Sequence, residues 1–209
     1  MKRLFLCSSF ASVAKLFIDF SNEELKGKTV AFIPTASLTE TINFYVKSGR
    51  KALEKAGLIV REVEITKLSH DEISSILNDS DYIYVTGGNT FFLLQELKKK
   101  GVDKMIAEQI KLGKTYIGES AGAIIMASDV EYIKAVNFDP IDKAPELTDL
   151  SSLGLIDFYV IPHYGNFPFK KKGEKIIQLY NEKLELIPIS NKQAVLVNNL
   201  EIQTKDANE

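Results

Sequence analysis

Residues 114–126 read Lys-Thr-Tyr-Ile-Gly-Glu-Ser-Ala-Gly-Ala-Ile-Ile-Met, and no other run in the chain restricts the fold as much. Thr115 to Ile117 is a β-branched and aromatic run that predicts a buried strand, and Ala121 to Met126 predicts the start of a helix. Gly118 and Gly122 bracket one serine, Ser120, which makes the Gly-x-Ser-x-Gly pattern of a nucleophile elbow. Such a turn strains the backbone at the serine, so its neighbours need positive φ or no side chain where strand and helix pack close. The hydroxyl then points out of the sheet at the start of a helix, where unpartnered N–H groups can stabilise an oxyanion. A tight turn with an incidental serine is the competing reading. The flanking strand and helix favour the elbow.

The rest of the chain supplies more of the same alternation. Apolar runs at Arg3–Cys7, Lys28–Ile33, Leu58–Ile65 and Tyr82–Val85 predict four strands before the elbow strand. Between them lie helical patterns through Val13 and Phe20, over 42–56, after Ser69, over 91–100 and over 103–112. Ser69 with Glu72 three residues on matches a capping box. Continuous apolar strands alternating with helices argue a mostly parallel sheet with helices on both faces, a doubly wound α/β fold. From Ser128 to Leu153 the pattern dissolves into scattered Asp and Pro, as a functional or mobile loop would. A further strand is expected over 157–162 and a helix over 171–184, after which short strands at 186–189, 194–197 and 201–204 are expected to close the sheet. No repeat or linker interrupts residues 1–209, so a single domain is expected.

A net charge of −2 gives no electrostatic footprint for nucleic acid. The one cysteine, Cys7, falls in the first apolar strand, cannot form an intrachain disulfide and suits a reducing cytoplasm. No segment reaches the ~20 apolar residues of a membrane span, and the N-terminal run, broken by Ser8, Ser9 and Ser12, has no clear cleavage site. Two distant histidines and one cysteine form no recognisable metal cluster, and no nucleotide-binding glycine motif is present, so neither metal nor cofactor is expected.

A serine needs a base. His70 sits in the first turn of a capped helix among acids, as a solvated residue would. His163 follows a buried strand directly, at the edge where ligands collect in open α/β sheets, and is the stronger candidate. Gly87-Gly88 after the fourth strand and the Ala121 amide after the serine are candidate oxyanion donors.

The runs Val85-Thr-Gly-Gly-Asn-Thr-Phe91, Ile117-Gly-Glu-Ser-Ala-Gly-Ala123 and Ile161-Pro-His-Tyr164 together resemble the S51 serine peptidases, the dipeptidase E family that also includes cyanophycinase. The likeness runs from Arg3 to about Val197. It implies a class I glutamine amidotransferase-like (flavodoxin-like) fold, with Ser120 as nucleophile, His163 as base and the Gly88 and Ala121 amides as oxyanion hole. It also implies cleavage of very short peptides after an N-terminal aspartate, with Asn89 and Lys172 on the substrate. Two positions depart from the family pattern. Asn191 stands where the family carries the third, acidic triad member, so either it orients the imidazole or an acid such as Asp129 or Asp139 substitutes. Lys172 stands where the aspartyl dipeptidases place an arginine, a point charge in place of a planar fork.

Three functions therefore stand side by side. The first is a cytoplasmic serine peptidase acting on small peptides. The second is a small esterase, which shares the elbow but follows the chain order Ser, acid, His. The third is a binding or regulatory protein on a weakened catalytic site, with Asn191 as its support. Glutamine amidotransfer is disfavoured because that chemistry uses cysteine at the elbow. Phe167 and Phe169 offer a patch for a homodimer, or core packing for a monomer.

Overall fold

The computed structural model describes residues 2–208. Strand β1 (Arg3–Cys7) leads into α1 (Phe10–Ser21), β2 (Thr29–Ile33), a 3-10 turn (Thr35–Thr39) and α2 (Phe44–Lys55). Then come β3 (Ile59–Glu62), α3 (His70–Asp79), β4 (Tyr82–Val85), α4 (Thr90–Lys99), α5 (Val102–Lys111) and β5 (Thr115–Glu119). Past the elbow lie the one-turn helices α6 (Ala121–Ile124) and α7 (Glu131–Lys134), a 3-10 turn (Ile141–Lys143) and β6 (Tyr159–Ile161). Helix α8 (Lys170–Tyr180), β7 (Leu186–Pro188), β8 (Gln193–Asn198) and β9 (Glu201–Asp206) complete the chain.

The main sheet has seven strands in the order β3-β2-β4-β5-β1-β8-β9. The first five are parallel, and β8 and β9 add an antiparallel edge. This is the expected doubly wound α/β class. Alternate residues of each central strand feed opposite faces, as the two-residue period requires. Leu4, Leu6, Ala31, Ile33, Ile83 and Val85 pack with α3, α4 and α5 on one side. Phe5, Val30, Phe32, Tyr82, Tyr84 and Ile117 pack with α1 on the other. Helix α3 begins with the expected capping box, Ser69 with Glu72.

Two expectations need correction. The short strand at 186–188 does not close the main sheet; β7 pairs with β6 as a separate two-stranded parallel sheet. An apolar run states that a strand is buried, not which partner it takes. The stretch from Ser128 to Leu153 is also no open loop. Val130, Tyr132, Ile133 and Phe138 are buried in the larger core, and Asp129 bridges Ser151 across an antiparallel pair.

Candidate active site

The two sheets divide the site between them. The main sheet delivers Ser120 at the end of β5, where its amide donates to Cys7 O at 2.8 Å. The small sheet delivers His163, two residues past β6, and Asn191, three past β7. Ser8, at the end of β1, joins them. Its hydroxyl accepts from the His163 amide at 2.9 Å and donates to Ile189 O at 3.1 Å.

Ser120 has φ 48 and ψ −103, a left-handed conformation that costs a non-glycine residue roughly 1–3 kcal/mol. The elbow is held by close backbone approaches: a Cβ on Gly122 would collide with the Val85 carbonyl, and one on Gly118 with the Gly122 carbonyl. The helix after the serine is one turn long, shorter than expected, so any help to an oxyanion comes from individual amides and not from a helix dipole. The Ala121 and Gly88 amides make no hydrogen bond within the protein among the described residues. Gly88 has φ +132, and a Cβ there would strike the Ala36 carbonyl, so only glycine presents this amide to the site.

Ser120 Oγ lies 3.0 Å from His163 Nε2, and His163 Nδ1 lies 2.6 Å from Asn191 Oδ1. With the amide oxygen accepting from Nδ1–H, the Nε2 lone pair faces the serine hydroxyl, the tautomer a base requires. Asn191 is fixed in turn by its amide, which donates to Asn166 Oδ1 at 3.0 Å. His163 also has a positive φ of 59, and its ring stacks on Phe169 at 4.9 Å. Burial holds the imidazole below its usual range, and the Asn191 bond opposes this only in part. The arrangement can draw a proton from Ser120 at neutral pH.

A cavity of about 510 Å³ opens over this chain of groups. Glu40, Tyr45, Asp139, Phe169 and Lys172 are among the residues that line it. Lys172 Nζ donates to Phe138 O at 3.0 Å and stands 5.9 Å from the centre of the Phe169 ring. Burial pushes the Asp139 carboxyl up to about 6, against hydrogen bonds from the Thr90 amide and hydroxyl.

The remaining candidates sit as follows. Asn89 is fully buried and outside the cavity lining: its Oδ1 caps α4 through the Phe92 amide at 2.9 Å, and its Nδ2 donates to Pro140 O at 2.8 Å. Both ends of that side chain are used in holding the fold, so contact with substrate is not available to it. Asp129 accepts from the Tyr159 hydroxyl and the Glu131 amide, and Asp139 from Thr90; neither bonds His163. His70 is exposed on α3.

Sequence reasoning missed three participants. Ser8 acts through one hydroxyl across 155 residues, and only a polar pair after the first strand hinted at it. Asn166 supports Asn191 from the loop after the histidine. Glu119, beside the serine, is buried beneath the elbow, accepting from the Phe10 amide at 2.9 Å and the Tyr84 hydroxyl at 2.8 Å. Burial raises its carboxyl above the usual range despite those bonds.

A doubly wound sheet with an elbow serine facing a histidine defines a hydrolase of the α/β class. More narrowly, the chain belongs to peptidase family S51, whose family model matches residues 4–205. It is 53% identical to an uncharacterized peptidase of Listeria innocua over 100% of this chain and 98% of that protein. It is 33% identical to Peptidase E of Haemophilus influenzae over 68% of this chain and 60% of that protein. The crystal structure of a candidate Peptidase E protein from Listeria monocytogenes superposes with a TM-score of 0.94 at 50% identity, covering 99% of this chain and 98% of that one. A peptidase from an acI-B1 actinobacterium shares the fold, with a TM-score of 0.72 at 22% identity over 99% of this chain and 88% of that one.

Proposed function

We propose that this peptidase is of the serine type and cleaves very short peptides, with a preference for an N-terminal aspartate. The observation that carries the reading is the 3.0 Å contact between Ser120 Oγ and His163 Nε2 at a serine with positive φ. Ser120 attacks the scissile carbonyl while His163 takes its proton, and the Gly88 and Ala121 amides receive the oxyanion. His163 then returns the proton to the leaving amine, and water, activated by the same imidazole, hydrolyses the acyl-enzyme. Asn191 orients the imidazole. Lys172 is the cation available to an aspartate side chain. The chemistry as drawn needs neither metal nor cofactor. The reading places the activity in one domain, residues 1–209, working in the cytoplasm as a monomer or homodimer.

The test is hydrolysis of Asp-X, Glu-X and neutral dipeptides by the wild type, Ser120→Ala and His163→Ala. Turnover of Asp-X by the wild type, lost in both variants, is the expected result. Turnover that survives Ser120→Ala overturns the serine mechanism. Asn191 favours a second reading, a binding protein on a weakened site. A wild type that binds dipeptides without cleaving them, and gains turnover on Asn191→Asp, would select it.

A further inference from the structure

Thr86 follows β4 directly and is fully buried, and its hydroxyl donates to the carbonyl of the next residue, Gly87 O, at 3.0 Å. Among the described residues this is the only hydrogen bond that Gly87 O receives. The Gly87–Gly88 peptide is trans, so its N–H points opposite to its C=O. With the oxygen turned inward to a buried side chain, the unpartnered Gly88 amide is turned outward, to the cavity that Gly88 and Ser120 both line. The backbone itself does not impose this orientation. The peptide lies between two glycines, for which φ of either sign costs little, so turning it over meets small torsional resistance. The residues on either side are held by other bonds: the Thr86 amide donates to Ile33 O at 3.1 Å and the Asn89 amide to Ala36 O at 2.8 Å. The carbonyl between them is held by the Thr86 hydroxyl alone.

We infer that Thr86 is a positioning residue for catalysis: its hydroxyl locks the Gly87–Gly88 peptide with the Gly88 N–H toward the nucleophile, and so keeps the oxyanion hole assembled. The inference rests on the serine-peptidase reading above and adds the group that keeps one of its two donors in place. An oxyanion donor is effective when it is already aimed and nothing has to rotate during the reaction. A threonine suits that task, because its branched Cβ leaves χ1 stiff. Without the hydroxyl, Gly87 O is buried with no donor, and a buried carbonyl in that state is driven toward any arrangement that lets water reach it. Turning the peptide over brings that oxygen to the cavity. The site then presents a carbonyl dipole of the wrong sign to the negative charge that develops on the scissile oxygen, and one donor is lost.

The test compares Thr86→Val, which removes the hydroxyl and keeps the branched shape, with Thr86→Ser, which keeps the hydroxyl. Each is carried through kcat and KM on Asp-Leu, thermal unfolding and crystal structure determination. In Thr86→Val, kcat is expected to fall by at least about tenfold, toward the roughly 10²–10³ that loss of a whole oxyanion donor costs. KM should stay within about twofold of the wild type, because the lost contact belongs to the transition state. The crystal structure should show Gly87 O turned to the cavity, and Thr86→Ser should restore most of kcat. Thr86→Ala repeats the loss of the hydroxyl with a smaller side chain, so a folding defect peculiar to valine is told apart from loss of the lock. A hydroxyl-free variant that melts earlier but keeps its kcat, one whose Gly87–Gly88 peptide stands as in the wild type, or a Thr86→Ser as impaired as Thr86→Val would overturn the inference. Failure of the serine reading is seen separately, as Asp-Leu turnover that is absent from the wild type or survives Ser120→Ala; the peptide orientation in the crystal structures then decides the lock alone.

Discussion

Asn191 Oδ1 approaches His163 Nδ1 to 2.6 Å, which places a neutral acceptor where a triad usually sets a carboxylate. The amide selects the same tautomer but brings no charge to stabilise the imidazolium formed during acylation. In the archetypal serine proteases the exchange of this Asp for Asn costs about 10⁴ in turnover, mainly through the wrong tautomer, which Asn191 avoids by presenting its oxygen. What Asn191→Asp restores is the charge, which should raise kcat by roughly tenfold at neutral pH. It should also move the acid limb of kcat/KM. The base works when neutral, and burial holds His163 below the ordinary imidazole range, so the wild-type limb lies below that range too. A carboxylate at 191 favours the imidazolium and shifts the limb upward. A pH–rate profile unmoved by the substitution would show that position 191 does not govern the base.

Ser120 supports a prediction that separates strain from chemistry. Its φ of 48 costs roughly 1–3 kcal/mol for a side chain and little for glycine, whose added chain entropy in the unfolded state costs about 0.5–1 kcal/mol. Ser120→Ala keeps the strain and should leave the denaturant midpoint near that of the wild type. Ser120→Gly should unfold later, by about 1 kcal/mol net. Both should lose at least ~10³ in activity, since the nucleophile is gone. A Ser120→Gly variant that unfolds earlier than Ser120→Ala, by the entropy cost of glycine alone, would mean the elbow is unstrained.

How far the site could be read in advance differs residue by residue. Ser120 was legible because strand, glycines and helix start are contiguous, and His163 because it follows an apolar strand at once. Asn191 stood out only through its place in the family pattern. The family pattern puts Asn89 on the substrate, but its side chain caps α4, which begins one residue before the predicted helical run. The β6–β7 sheet was not legible, because pairing depends on which apolar runs the tertiary fold brings side by side. Nor was Ser8, which joins segments remote in sequence through a single side chain.

Ser8 is expected to be a positioning residue. Its hydroxyl satisfies both the His163 amide and the Ile189 carbonyl while His163 holds a φ of 59. Ser8→Ala leaves the partly buried His163 amide unpaired, a cost of about 1–3 kcal/mol in stability, while Ile189 O keeps its bond from the Tyr164 amide. The imidazole, no longer pinned, should drift from Ser120 and lower kcat by roughly tenfold. KM should stay near its wild-type value, because no substrate contact is removed. Ser8→Thr, which keeps the hydroxyl, should restore most of kcat. A Ser8→Ala variant that is destabilised with unchanged kcat would reduce Ser8 to a purely structural bridge.

Asp139 is ionisable in a buried place, and pH makes the cost measurable. Burial pushes its carboxyl up to about 6, above the ordinary carboxylate range, so the folded protein holds a proton through this interval that the unfolded chain releases. A raised carboxyl contributes fully to stability below the unfolded value, and that contribution is lost as pH rises through 6. At pH 8 the free enzyme therefore carries an ionised, poorly compensated acid. Asp139→Asn removes the charge, and the amide oxygen can still accept both Thr90 bonds. The variant should melt at a higher temperature than the wild type at pH 8, with the advantage shrinking toward pH 4. Thermal unfolding at both pH values checks this. A variant less stable at pH 8 would mean that the Thr90 bonds and the Lys172 charge outweigh the burial of the ionised Asp139.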